Sequence, residues 1–216
     1  MKKNLFAIIA IVTLCYCNSN QAEIERIHKE KIEVGKSLKI TKLNNILKPL
    51  EENLSSQKQK LAKINEWQLG RTQTEKETQL AEQKQLISQI EFMKSRIENE
   101  IALSNMFQSF EFQNTPEGTI EQIFQAAKTE DYSKMRYLLD PYGEYDNDAF
   151  SICMIEMLPS ESQKEMAEQF KNGRIMNNIS TNDSTAIIEI AFGPSSNKLE
   201  QMHLVKRLNK WYISNF

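Results

Sequence analysis

The feature that most narrows what this chain can become is a pair of apolar stripes between Lys42 and Phe107, one on each side of a short glycine-containing break. Leu47, Leu50, Leu54, Leu61 and Ile64 precede Leu69-Gly70-Arg71-Thr72; Leu86, Ile90, Met93 and Ile97 follow it. Steps of three and four residues put each set on one narrow helix face, with Glu, Lys and Gln covering the other faces. Such a stripe has to be hidden from water, and the nearest cover for each is the other. The segment is expected to fold as an antiparallel two-helix coiled-coil hairpin. Gly70 suits the left-handed residue that ends a helix. Thr72 with Glu75, or Thr74 with Glu77, has the spacing of a capping box for the second helix.

Length sets the other limits of the hairpin. A second helix from Thr74 to Phe107 is roughly 50 Å long at ~1.5 Å per residue, so the first must reach back equally far, to Val34 or Gly35. Pro49 falls inside that first helix and predicts a bend there. Gln57 and Lys94 interrupt the stripes, and so thin a seam buries little area. Further cover is expected from the rest of the chain or from a second copy. At the tip, Trp67 and Arg71 are candidate contact residues; the plainer role is to seal the seam and neutralise helix carbonyls.

The N-terminal segment has the layout of an export signal: basic Met1-Lys2-Lys3, an apolar run from Leu5 to Leu14, then polar Asn18-Ser19-Asn20-Gln21. The run falls short of the ~20 residues that a membrane-crossing helix needs. Leu14-Cys15-Tyr16-Cys17 resembles a bacterial lipoprotein signal, whose cysteine is acylated and becomes the new N-terminus. The resemblance implies lipidation at Cys17, although Tyr16 departs from the small residue usual before that cysteine. Lipidation at Cys15, ordinary cleavage to a soluble form and an uncleaved anchor are the alternatives. Cys153 would then be the one body thiol, so no internal disulfide is expected. On this reading residues 1–17 are the signal and 18–34 a polar tether, with His28 a solvated side chain. Residues 35–112 form the hairpin, and 113–216 a second unit.

That second unit opens with helix patterns. Pro116–Lys128 follows Thr115 with proline in the first turn; Tyr132–Leu139, Asp148–Leu158 and Glu161–Lys171 come next, the last capped through Ser160 and Gln163. Four strands are then expected: Arg174–Thr181, Ser184–Phe192, Leu199–Leu208 and Trp211–Phe216. Helices followed by antiparallel strands define an α+β class, with the sheet covered on one face. Phe107, Phe110 and Phe112 are expected to pack the joint between hairpin and domain.

Several segments are similar to the small bacterial lipoprotein domains of the nuclear transport factor two-like superfamily. They are Thr115-Pro116-Glu117, then Ile120, Ile123-Phe124, Ala126-Ala127-Lys128 and Asp131-Tyr132, with Ala186-Ile187-Ile188, Leu204-Val205-Lys206 and Lys210-Trp211-Tyr212-Ile213 later. The resemblance implies helices closing over a curved antiparallel sheet to make a cone with a pocket. It further implies a Gram-negative bacterium of Bacteroidota type, with the protein in the periplasm or at the outer membrane. Tyr137, Tyr142 and His203 are the candidate pocket residues. Enzymes of that superfamily use an acid, with Tyr or His, inside the cone, and Asp140, Tyr145 and Asp146 fall in the segments near its mouth. Nothing in the spacing sets these residues as a catalytic pair. No catalytic residue, metal site or cofactor is expected: no paired Cys or His stand at ligand spacing, and there is no glycine-rich phosphate loop.

Charge excludes one further class. The formal net charge is −2, with acidic and basic residues interspersed, so no basic face exists to bind nucleic acid. The expectation is an envelope lipoprotein, held to a membrane by its N-terminal lipid, with a non-enzymatic binding or scaffolding role. Its hairpin would present the domain, or engage a protein partner or a second copy. A small-molecule pocket protein and an isomerase or dehydratase-like enzyme are the alternatives.

Overall fold

The computed structural model describes residues 2–66 and 72–216, with the backbone alone for residues 2–20. Trp67, Gly70 and Arg71, and the side chains of Cys15 and Cys17, lie outside the described residues. The protein is α+β. Among the described residues, five α-helices precede one four-stranded antiparallel sheet.

Helix α1 runs from Lys2 to Asn65, and α2 from Gln73 to Leu103. They pair along the expected seam, with Ile64, Ile90 and Ile97 buried. The stripe on α2 needs one correction: Leu86 is 38% exposed, and its neighbour Ile87 is buried in its place. Counting back from Ile97 by three, four and three gives Lys94, Ile90 and Ile87, which keeps one face; Leu86 lies off it. The two polar interruptions find each other's helix. Gln83 Nε2 donates to the Gln57 side-chain and main-chain oxygens at 2.9 and 3.0 Å. Lys94 Nζ bonds Glu51 at 2.5 Å and Glu98 at 2.9 Å. Thr72 and Glu75 form the capping box of α2.

Helix α1 also corrects one expectation: the described part of the 18–34 segment is helix, not a polar tether outside it. Pro49 lies within α1, as the spacing predicts. A mid-helix proline costs about 3 kcal/mol. The flanking Leu43, Ile46, Leu47 and Leu50 all pack on the core, which offsets that loss.

The remaining helices are α3 (Pro116–Thr129), α4 (Asn147–Cys153) and α5 (Ser160–Phe170). Thr115 caps α3 by accepting from the Gly118 N–H at 3.1 Å. Two expected helices are shorter than their patterns. Tyr132–Leu139 supplies only a 3-10 turn at Met135–Leu138, and Asp148–Leu158 divides into α4 and a turn at Ile155–Met157. Gln163 does not cap α5; its amide instead donates to the carbonyls of Ile155, Glu156 and Leu158, pinning that turn.

Strands β1 (Arg174–Thr181), β2 (Thr185–Phe192), β3 (Lys198–Arg207) and β4 (Lys210–Asn215) form a meander in sequence order. Alternation sends Ala186, Ile188 and Ile190 of β2, with Met202 and Leu204 of β3, to the face covered by helices. These residues meet Ile120, Ile123 and Phe124 of α3 in a filled interior. Space between helices and sheet is therefore a packed core, where the resemblance implied a pocket. Leu43 and Ile97 belong to that same core, so the base of the hairpin is part of the domain's interior.

The β3–β4 connection is a two-residue turn, with Leu208 and Asn209 at φ 50° and 61°. This is the mirror-image turn that matches strand twist, and it favours Asn-Gly over a bulky residue. Leu208 is exposed, so little burial is lost on replacing it. Leu208→Asn is expected to stabilise the protein by about 1 kcal/mol, read as a raised midpoint in urea unfolding.

Candidate binding site at the junction of hairpin and domain

Two glycines set the closest approach of α1 to the domain. A Cβ on Gly35 would lie 2.5 Å from the carbonyl carbon of Tyr142 and 2.7 Å from Gly143 N, and nearer still to the Pro141 oxygen. Gly143 has φ +80° and faces Gly35 and Leu38. Backbone therefore meets backbone, which only glycine permits here. Beside this contact the Tyr142 ring lies beneath two cations, Arg207 at 4.6 Å and Lys31 at 5.3 Å, and its hydroxyl pairs with His28. His28 is thus engaged with the domain, where the sequence placed it in solvent.

Below that contact lies a buried ion cluster assembled from four elements. Lys39 of α1 faces Glu100 of α2 at 3.8 Å, and Arg136 of the Met135–Leu138 turn lies 2.6 Å from the other Glu100 oxygen. Arg136 also pairs with Glu156, and Arg96 of α2 donates to the Glu156 carbonyl. The Glu100 side chain is 4% exposed. Burial raises its carboxyl above the ordinary value against the pull of Arg136 and Lys39, and burial lowers the Lys39 ammonium. The Arg136–Glu100 pair is close but not aligned as a hydrogen bond: Arg136 Nη1 and Nε and Glu100 Oε2 all lack hydrogen-bond partners among the described residues.

A cavity of about 150 Å³ opens above this cluster, between α1, the segment after α2 and the domain. Lys39, Arg136, Tyr137, Asp140, Tyr145 and Tyr212 belong to its polar lining, with the Lys36–Glu33 pair also at the cavity. Asp140 is already engaged. It accepts from Arg207 Nε at 3.1 Å and from the N–H groups of Tyr142 and Glu144 at 3.3 and 3.2 Å. Burial nonetheless raises its carboxyl, and burial pushes Tyr145 up to about 12. Tyr212 is 1% exposed, and its hydroxyl has no hydrogen-bond partner among the described residues.

The three tyrosine and histidine candidates read from sequence do not converge. Tyr137 lines the cavity and meets Phe110 edge-on at 5.5 Å. Tyr142 is spent on seating α1. His203 sits on the sheet face opposite Met202 and Leu204, paired with Ile187, in a shallow recess with Glu189 and Gln201. Of the joint aromatics, Phe110 and Phe112 stack at 5.1 Å while Phe107 is exposed at the cavity rim. Cys153 is fully buried, and burial pushes its thiol up, which makes it inert.

Sequence reasoning missed Lys39, Glu100 and Tyr212. A signal existed for the first two. Lys39 stands four residues before buried Leu43, and Glu100 three after Ile97, so each places a charge where the stripe calls for an apolar residue. Two opposite charges at seam positions of partner helices are a pairing signal. Tyr212 reads simply as a strand aromatic.

The geometry defines an α+β protein in which a helical hairpin is built into a small domain of helices on an antiparallel sheet. Residues 109–214, the part of the chain that follows the hairpin, match a family described as a domain of unknown function (DUF4878). No curated protein matches the chain, and no solved structure does.

Proposed function

We propose that this is a lipid-anchored, non-enzymatic protein of a bacterial cell envelope, which holds a binding surface at a set distance from the membrane. The observation that carries this reading is the seat of Gly35 on residues 141–143, which joins α1 rigidly to the domain. Because α1 is continuous, an acyl group on Cys17 would place the domain close to the membrane and send the hairpin outward. The part beyond Leu47 extends roughly 27 Å further at ~1.5 Å per residue. This differs from the sequence-based layout, in which the hairpin presents the domain.

The lipoprotein and nuclear transport factor two-like readings rest on the motif resemblances around Cys17 and along residues 115–213. No helix among the described residues is long and apolar enough to cross a membrane, so anchoring in this reading falls to the lipid. A binding role for the outer arm, toward a protein partner or a second copy, is supported by Leu86 and Phe92, both exposed on α2. A non-enzymatic role is supported by Asp140, whose oxygens are engaged by Arg207 and the Tyr142 and Glu144 N–H groups in shaping the loop.

Labelled palmitate tests the anchor: incorporation is expected in the native chain and lost in Cys17→Ala. The orientation is tested in proteoliposomes, with a fluorophore on a cysteine at Lys29 or at Gln59 and a quencher on lipid headgroups. Strong quenching at Lys29 and little at Gln59 is expected. Equal quenching, or labelling that survives Cys17→Ala, refutes the arrangement.

A further inference from the structure

Two buried donors and a half-buried lysine reach the junction cavity without a well-placed acceptor. The Tyr212 hydroxyl has no partner, Arg136 Nε has none, and Lys39 stands 3.8 Å from Glu100, beyond hydrogen-bond reach. Natural interiors pair such groups, and an unpaired buried donor marks a missing ligand or water. The nearby acids do not fill the gap. Asp140 is committed to Arg207 and two backbone N–H groups, Glu33 pairs with Lys36, and the free Glu100 oxygen stays 3.8 Å from Lys39.

The cavity takes an apolar lining from Ile32 of α1, Leu103 at the end of α2, Met106, Phe107 and Leu139, interrupted by Ser104, Asn105 and Gln108 and by the Lys36–Glu33 pair. Its volume of about 150 Å³ is that of a cavity that holds a benzene-sized molecule. A site with both buried donors and hydrocarbon in its lining suits an amphiphile with a planar, two-oxygen head. Lys36 is paired with Glu33 at 3.5 Å, so Lys39 and one free guanidinium nitrogen are left to match a single negative charge; a phosphate dianion would need more unpaired cations than the cavity supplies.

We propose that the cavity binds a small monocarboxylate with an apolar body, its head held by Tyr212 and Lys39. The ligand lies where α1 meets the domain, so it also bridges hairpin and domain. This assignment stands apart from the anchoring proposal, since it needs neither a lipid nor a membrane.

Benzoate is the probe, with acetate as the head alone and benzyl alcohol as the body without charge. Binding is read by saturation-transfer NMR and thermal shift on the full chain. Benzoate is expected to bind saturably at millimolar concentration, and the two partial probes at least ten-fold more weakly. Tyr212→Phe keeps the ring and the fold, and is expected to weaken benzoate ten-fold or more, as is Lys39→Met. His203→Ala, on the far sheet face, should leave it unchanged. The proposal is overturned by absence of a saturable benzoate signal, by equal binding of benzyl alcohol, or by undiminished benzoate affinity in Tyr212→Phe and Lys39→Met. A Tyr212→Phe protein that melts higher yet binds benzoate as before also overturns it, for the cavity would then hold water only.

Discussion

Replacing Gly35 with alanine is expected to destabilise the protein, although alanine is the better helix former by about 1 kcal/mol. The added carbon would collide with main-chain atoms of Pro141, Tyr142 and Gly143, none of which can swing aside as a side chain can. Overpacking costs typically 1–3 kcal/mol and more where the surroundings are rigid, so a net loss of about 2–4 kcal/mol is expected. For a chain of this size that lowers the melting temperature by roughly 5–12 °C. Hydrogen exchange at the Gly143 and Asp146 amides should accelerate in step. A rise in melting temperature would mean that α1 does not rest on this loop at all, because helix propensity alone would then decide the sign.

The second large effect is expected at Arg136. Arg136→Ala removes the closer partner of Glu100 and the partner of Glu156 together, leaving a carboxylate that is almost wholly enclosed. Breaking a buried pair on one side costs about 3–5 kcal/mol. The pH dependence has a definite sign. Glu100 is already raised by burial in the native protein, with Arg136 the first of the groups opposing that rise. Without Arg136 the folded carboxyl holds its proton to still higher pH. A folded state that binds more protons than the unfolded one loses stability as pH rises from the unfolded value of 4.5 through the folded one. The penalty of Arg136→Ala should thus be small near pH 4 and grow toward neutrality, measured by urea unfolding at each pH. A penalty that does not vary with pH would assign the loss to packing of the arginine stem alone.

Most of the architecture was legible because it is written in local periodicity. The two stripes, the Thr72–Glu75 box and the strand limits follow from spacing and turn residues that act within a few positions of one another. Leu86 was misplaced because the run Leu86-Ile87 offers two apolar neighbours, and only the partner helix selects between them. The extent of α1 was missed for a different reason. Residues 21–34 have no apolar face of their own, and their order comes from partners more than a hundred positions away: His28 on Tyr142, Gly35 on Pro141 and Gly143. The site was least legible of all. Tyr137 was among the pocket candidates, but Lys39, Arg136 and Tyr212 come together only through the docking of α1, which no local pattern encodes. His203 was a reasonable candidate that strand alternation sent to the opposite face.

The loop that receives α1 does not hold its shape unaided. Asp140 N–H donates to the Ile213 carbonyl, Asp146 N–H to that of Ser214, and Phe216 N–H to the Asp146 carboxylate. The berth for the long N-terminal rod is thus moulded by β4, the described strand furthest from it in sequence. Loss of β4 would therefore abolish two things at once, the rim of the sheet and the mooring of the opposite end of the chain.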